Sequence, residues 1–213
     1  MLEGIGMDRI DSVPTASEAY GEAWTVLKKW FLPLLLLALV WSVVASPAAI
    51  ARHGGASLFS AIYFTLVVAP VTFGSLAAQL GAVRGRAPEV GQLFVPFREY
   101  WGQVILAHVL WCALVTMGFA LLVIPGFIVA TRLSFVGFLV VDRRLDAIEA
   151  FSERWRLTRG YAGTIFLVFV LGIPVALVGS LLGGVGIVPA VVWTHLAFAT
   201  VYDEIMATEP RSG

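Results

Sequence analysis

Charge is what this sequence has least of. Of its 213 residues 13% are Asp, Glu, Lys or Arg and 59% are hydrophobic, and the mean hydropathy is +0.90. A soluble globular domain carries about a quarter of its residues as charged side chains, so this composition excludes one. The 14 basic and 14 acidic residues cancel, which leaves no overall field to gather nucleic acid or an acidic substrate. Where basic residues cluster they alternate with Glu and Asp, so the surface partner they suit is anionic lipid and no nucleic acid is expected. Cysteine occurs once: Cys112 forms no intrachain disulfide and reads as a packing residue. His53, His108 and His195 are scattered, without His-x-x-x-His or Glu-x-x-His spacing, so neither a metal nor any other cofactor is expected. Phosphate loop, nucleophile elbow, zincin sequence and paired intramembrane aspartates are also missing, and the chain is read as a non-enzyme.

The scarce charges are clustered, and the gaps between clusters are long. No Asp, Glu, Lys or Arg lies between Lys29 and Arg52, Arg52 and Arg84, Glu99 and Arg132, or Arg159 and Asp203. About 20 apolar residues in a helix cross a bilayer core of about 30 Å, and every one of these gaps suffices. The last is divided by the turn residues Gly183, Gly184 and Gly186, and Ile124-Pro125-Gly126 turns the chain before a further span. The reading is a single all-α membrane domain over 1–213. Its expected spans are Trp30 to Ile50, Leu58 to Ala82, Trp101 to Ile124, Gly126 to Val141, Tyr161 to Leu182 and Ile187 to Met206. Backbone groups in hydrocarbon must be satisfied within the segment, so these are helices. A signal peptide is the alternative for the first span, with Lys28-Lys29 before it and Val44-Ala45-Ser46 as small residues for cleavage. The long, acidic, helix-patterned segment in front argues against that.

Between the spans lie three segments with aromatic stripes, over 14–29, 86–100 and 143–159, after a flexible N-terminus over 1–13. In the first, Thr15 and Glu18 are spaced as a capping box, and Tyr20, Ala23, Trp24 and Leu27 share one face. Each segment is expected to lie at the membrane interface, anchored by Trp24, by Trp101, and by Trp155 with Arg156 and Arg159. Glu18-Ala19-Tyr20-Gly21-Glu22-Ala23-Trp24 aligns without gaps on Glu149-Ala150-Phe151-Ser152-Glu153-Arg154-Trp155, and Lys28 then falls on Arg159. This is an internal repeat, with a weaker third copy in Leu93, Phe94, Phe97, Tyr100 and Trp101. Pro70 stands fourteen residues before Arg84, as Pro189 does before Asp203, so both helices are expected to carry a proline break well inside the span. Three hairpins, each preceded by an amphipathic helix, would account for the chain.

All basic residues outside the spans except Arg52 then fall on one side, which the positive-inside rule makes cytoplasmic, with both termini. Arg132 is the exception within a span. About 10 Å into the hydrocarbon it needs compensation, from His195 at a similar depth, from free carbonyls near a helix break, or by snorkelling outward. Arg132, His195 and His108 are the candidate polar site, and Pro70 and Pro174 are helix breaks that could border a cavity. Asp142, Asp203 and Glu204 collect at inner helix ends, where the basic residues of 143–159 could pair with them. Gly179 and Gly183 have the small-xxx-small spacing that admits a close neighbouring helix.

Ile124-Pro125-Gly126, Arg132, Asp142, Asp146-Ala147-Ile148-Glu149-Ala150, Trp155-Arg156-Leu157-Thr158-Arg159-Gly160 and Tyr202-Asp203 together resemble a family of bacterial six-helix membrane proteins. That family is similar to the membrane domain attached to some glycerophosphoryl diester phosphodiesterases. The resemblance is best from Val123 to Glu204, and it implies a fold and an inner-membrane setting but no hydrolysis, since no soluble catalytic domain is present in this sequence. The expectation is a scaffold or accessory subunit whose partners are the bilayer and another membrane protein or a second copy. The alternatives are a small transporter or channel around Arg132, and then an intramembrane lipid enzyme.

Overall fold

The computed structural model describes residues 14–121, 135–150, 152, 161–181 and 186–208. They are helical, with no strand among them. Helix α1 is Ala16–Lys29, α2 is Phe31–His53 and α3 is Ser57–Val83. A 3-10 turn over Val90–Phe94 leads into the five-residue α4, Val95–Glu99, and then α5, Trp101–Leu121. The chain continues with α6 (Val136–Asp142), helical residues 147–150, α7 (Ala162–Leu181) and α8 (Ile187–Thr208).

Four of these helices are long and apolar enough to cross a membrane: α2, α3, α5 over Trp101–Gly118, and α7 over Gly163–Leu181. Their outward faces are bare hydrocarbon. Leu32, Val43, Ile50, Ile62, Val109, Leu177 and Leu181 are at least half exposed or nearly so, far beyond the patch size a water-soluble monomer tolerates. In the most apolar stretches of α2, α5 and α7 only 17%, 17% and 22% of residues are buried, against 39% for α3. The first three are therefore peripheral and α3 is more central.

Helix α8 is not among the four, although its 22 residues give it the length. The reason is its position. Leu196, Ala197, Phe198, Ala199, Thr200, Val201 and Tyr202 are consecutive and all buried, so the helix is covered on every side there. It packs against α7, α1, α3 and α2. A helix surrounded by protein has no need of an apolar exterior, and Thr194, His195, Thr200 and Tyr202 are admitted. The expected span from Gly126 to Val141 lies largely outside the described residues, where only α6 can be placed.

Helices α2 and α3 run in opposite directions. Ser60 Oγ donates to the Ala48 carbonyl (2.8 Å), Tyr63 to Val44 (3.0 Å), and Trp41 Nε1 to Thr72 Oγ1 (2.9 Å), so α2 numbers fall as α3 numbers rise. α7 and α8 do the same, with Gly172 against Thr194 and Gly179 against Gly186 and Ala190. Gly179 thus provides the close approach its spacing suggested, and the neighbour is in the same chain.

Two prolines inside helices have their freed carbonyls covered. Pro47 cannot donate to Val43, and Ser46 Oγ donates there instead at 2.8 Å. Pro70 follows a π-helical turn over Phe64–Val68 and leaves the Leu66 carbonyl free, which Trp101 Nε1 reaches at 3.3 Å. Pro174 is also within its helix, α7. Pro189, read as a break well inside its span, instead stands in the first turn of α8, where a missing N–H costs nothing. Helices α2 and α3 end alike. Gly55 (φ +85°) and Gly85 (φ +78°) take the left-handed position, while Ala56 N–H donates to Ala51 and Arg86 N–H to Gly81 (both 2.8 Å).

The apolar stripes of the short segments pack against other helices. In α1 the Thr15–Glu18 capping box is formed, and Ala16, Ala19, Tyr20, Ala23 and Leu27 form its buried face. That face is taken up by protein: Tyr20 OH donates to the Val168 carbonyl (3.0 Å) and Trp193 Nε1 to the Tyr20 carbonyl (2.9 Å). Both contacts are several residues in from the ends of α7 and α8, so α1 lies against the middle of that pair. Residues 90–94 lie on α3, with the Leu93 carbonyl where a Gly74 side chain would be. Trp101 meets α3 eighteen residues from Arg84, or about 27 Å along the helix. Residue 147 docks on α5, its N–H donating to Gln103 Oε1 at 2.9 Å. An apolar stripe looks the same whether it faces lipid or another helix, and here it faces helices.

Gly74 and Gly21 separate tight packing from open space. A Cβ on Gly74 would meet three backbone atoms of Gln92 and Leu93 at 2.5–2.6 Å, so Gly74→Ala should destabilise by about 1–3 kcal/mol. Gly21 has nothing within 4 Å, and Gly21→Ala should stabilise α1 by roughly 0.5–1 kcal/mol. Unfolding of the two variants in mixed detergent micelles measures both; a Gly74→Ala variant as stable as its parent removes the docking of 90–94 on α3.

Candidate functional site

The ends of α3, α6 and α8 converge on one guanidinium. The left-handed Gly85 halts α3 so that Arg84 is its C-terminal cap, and all three guanidinium nitrogens are engaged. Nη1 and Nη2 form a two-pronged pair with the Asp142 carboxylate, the second at 2.9 Å, and Nε bonds Asp203 Oδ1 at 2.6 Å. Tyr202 OH donates to Asp142 Oδ2 at 3.1 Å, and its fully buried ring lies against Phe135 and Phe138 at 5.7 and 5.3 Å. The hydrogen bonds to Asp142 raise the Arg84 pKa above its usual value against the opposing effect of burial, so the cation is permanent. Asp142 and Asp203, which the sequence allowed to pair with basic residues of 143–159, both bond Arg84, and Arg144 bonds Glu99 at 2.6 Å on the surface.

Farther along the same helices the chain encloses space. A cavity of about 420 Å3 lies among α2, α3, α5, α6, α7 and α8, and both His108 and His195 line it. The structure therefore brings together two of the three residues read as a polar site. Arg132, the third, lies outside the described residues. His108 Nε2 is 3.5 Å from Cys112 Sγ, and its ring is 5.6 Å from that of Phe64. His195 has no hydrogen-bond partner among the described residues. Seven of the described lining residues are Phe or Trp, and none is charged. A second cavity of about 290 Å3 adjoins it, with Trp41, Thr72 and His195 lining both. This smaller chamber is the more polar in side chains, holding Ser42, Ser75 and Gln79.

Comparison with family models, characterised proteins and solved structures finds no match.

Other expected site residues separate. Trp24, Pro174, Gly186 and Pro189 line one open groove of about 550 Å3 between α1 and the α7–α8 pair. Lys28 lines it too, its Nζ 5.6 Å over the Trp24 ring, next to the end of α7–α8 remote from Asp203. Pro70 adjoins the larger cavity through its neighbours Ala69 and Thr72. Trp101 covers the carbonyl that Pro70 frees. Pro125, Gly126, Trp155, Arg156, Arg159, Gly183 and Gly184 lie outside the described residues. Sequence reasoning missed Gln79, Trp41 and Thr72, none of which has a motif. It also missed Arg84, although the shared fourteen-residue spacing from Pro70 and Pro189 placed Arg84 and Asp203 at equivalent positions.

The three-way ion pair is between one-sixth and one-third exposed on each partner, so its value lies between that of a buried and a surface bridge. Arg84→Met should lower stability by about 1–3 kcal/mol, and Asp142→Asn by a similar amount. The Arg84→Met/Asp142→Asn double variant should lose clearly less than the sum, because each single change leaves a charge without its partner. Strict additivity in that cycle would show that the clamp holds nothing together.

Proposed function

We propose that this chain is a six-span inner-membrane protein, built as three units and acting without catalysis as a scaffold or accessory subunit of a membrane assembly. The observation that carries the reading is the division of its surface. Helices α2, α5 and α7 present bare apolar walls outward, while α3, α6 and α8 are gathered inward and tied at one end by Arg84. A rigid hub with apolar walls is suited to hold another membrane helix or a second copy.

In this reading each unit is a short helix, an outgoing span and a returning span. The short helix of each packs on the neighbouring unit: α1 on α7 and α8, residues 90–94 on α3, and residue 147 on α5. That is a cyclic exchange. The repeat is supported at the level of single residues, since Ala16 and Ala19 align with Ala147 and Ala150 and all four are buried. The bond from Ala19 N–H to the Thr15 carbonyl (2.9 Å) is matched by that from Ala150 N–H to Asp146 (2.8 Å). The short segments then enter the bilayer thickness as re-entrant elements, which is tolerable because protein covers them. The resemblance to the phosphodiesterase-linked membrane domain belongs to this proposal. Three residues that carry it, Asp142, Tyr202 and Asp203, meet at Arg84.

A small transporter or channel is the second reading, favoured by the cavity that His108 and His195 share. Native mass spectrometry from gentle detergent separates the two. A defined complex with a second copy or another membrane protein supports the scaffold, and a lone monomer that moves a solute across vesicles supports the transporter.

Orientation has its own check. In a Cys112→Ala background, cysteines replacing Arg86 and Glu149 should react with an impermeant maleimide only from the cytoplasmic face, and one replacing Gly55 only from the other. Arg86 and Glu149 labelled from opposite faces would end the three-unit topology.

A further inference from the structure

We propose that the two adjoining cavities form a binding site for a single-chain, uncharged amphiphile with a hydroxyl or amide head group. This rests on the membrane reading above and adds an occupant to it. The body of the ligand belongs in the larger chamber, whose Phe and Trp lining offers dispersion contacts and almost no hydrogen bonds. Its volume of about 420 Å3 lies in the range of small-ligand sites. Phe64 and Trp111 on its wall are each more than a third exposed, so the chamber opens sideways toward the hydrocarbon from which such a ligand would come.

The head belongs in the smaller chamber, and Gln79 is the reason. Its side chain is 96% buried, one amide atom is bonded to Ser75 Oγ at 3.0 Å, and the other has no partner. Whichever way the amide is turned, one donor or acceptor remains unpaired, a destabilising condition for a buried polar group. His195, on the wall between the chambers, is likewise without a hydrogen-bond partner among the described residues. Trp41 and Thr72 are not available, because the indole N–H donates to the Thr72 hydroxyl and that hydroxyl donates to the Val68 carbonyl. The site therefore offers an amide and an imidazole to one polar group. Among the described lining residues of either chamber none is charged, so those residues supply no counter-ion to a carboxylate or phosphate head.

The test uses the full chain in lipid nanodiscs and a photoactivatable diazirine analogue of 1-hexadecanol, with labelled residues located by mass spectrometry. Labelling is expected at cavity residues such as Trp41, Phe73 and His195. Competition should be about tenfold stronger with 1-hexadecanol than with hexadecane or palmitate, the effect of one or two head-group hydrogen bonds. Gln79→Leu should reduce that preference to about twofold or less. Ser42→Phe is the second variant. Ser42 is exposed, so a larger side chain obstructs the smaller chamber without touching the core, and it should remove the preference for 1-hexadecanol over hexadecane even if Gln79→Leu does not fold. Labelling confined to outward residues such as Leu39 and Val43, or equal competition by hexadecane, would overturn the site. Either of those results in a protein whose introduced cysteines still report the expected faces leaves the scaffold reading intact. Cysteines on the wrong faces would sink that reading instead.

Discussion

One guanidinium joins three helix ends that are far apart in sequence. Arg84 closes α3, Asp142 closes α6, and Asp203 stands near the end of α8, so the separations along the chain are 58 and 119 residues. In a bilayer, side chains gain little by leaving lipid for a protein interior of the same polarity, and association depends on close packing and polar ties. The packing is present in the buried run of α8 and in the glycine contacts at Gly74, Gly172 and Gly179. The clamp sets the register in which that packing is made, because displacement by one turn would leave Arg84 facing no carboxylate. Tyr202 connects the two, with its hydroxyl in the ionic cluster and its ring among Phe135 and Phe138.

Much of this was legible from residues alone, and the reasons differ by feature. Long apolar helices were legible because hydrocarbon imposes its demand on every residue of a lipid-facing segment, as in α2 and α7. The capping box at Thr15 and Glu18 was legible because it is local. Helix α8 was harder, for the opposite reason. Its neighbours are protein, its polar residues are shielded, and composition alone counts them against a crossing. The clamp was hidden among several carboxylates and many arginines, where pairing is decided by tertiary position. Only the matched spacing from Pro70 and Pro189 hinted at it.

The short segments show where sequence pattern stops being informative. The stripe Ala16, Ala19, Tyr20, Ala23 and Leu27 specifies a face that avoids water, and lipid and helix satisfy that equally. The small residues carry the missing information, since three alanines allow α1 to sit close on α7 and α8 where bulkier groups would suit a lipid surface. Trp101 makes the same point. Its place in the sequence marks it as a candidate interfacial anchor, and only the structure shows its indole N–H donating to the carbonyl left free by Pro70.

Proline, packing and cavity are connected through α3. A proline in mid-helix with a π turn before it widens the backbone locally, and the strain is contained because Trp101 and Thr72 satisfy the carbonyls of Leu66 and Val68. The same turn of helix places Ala69, Thr72 and Phe73 on the cavity wall. The two histidines lining this space sit in a protein whose glycines at 74, 172 and 179 admit close neighbours. Such a combination, a packed and clamped end beside an open interior with an aromatic lining, gives the chain one region that holds its shape and one that can admit a guest.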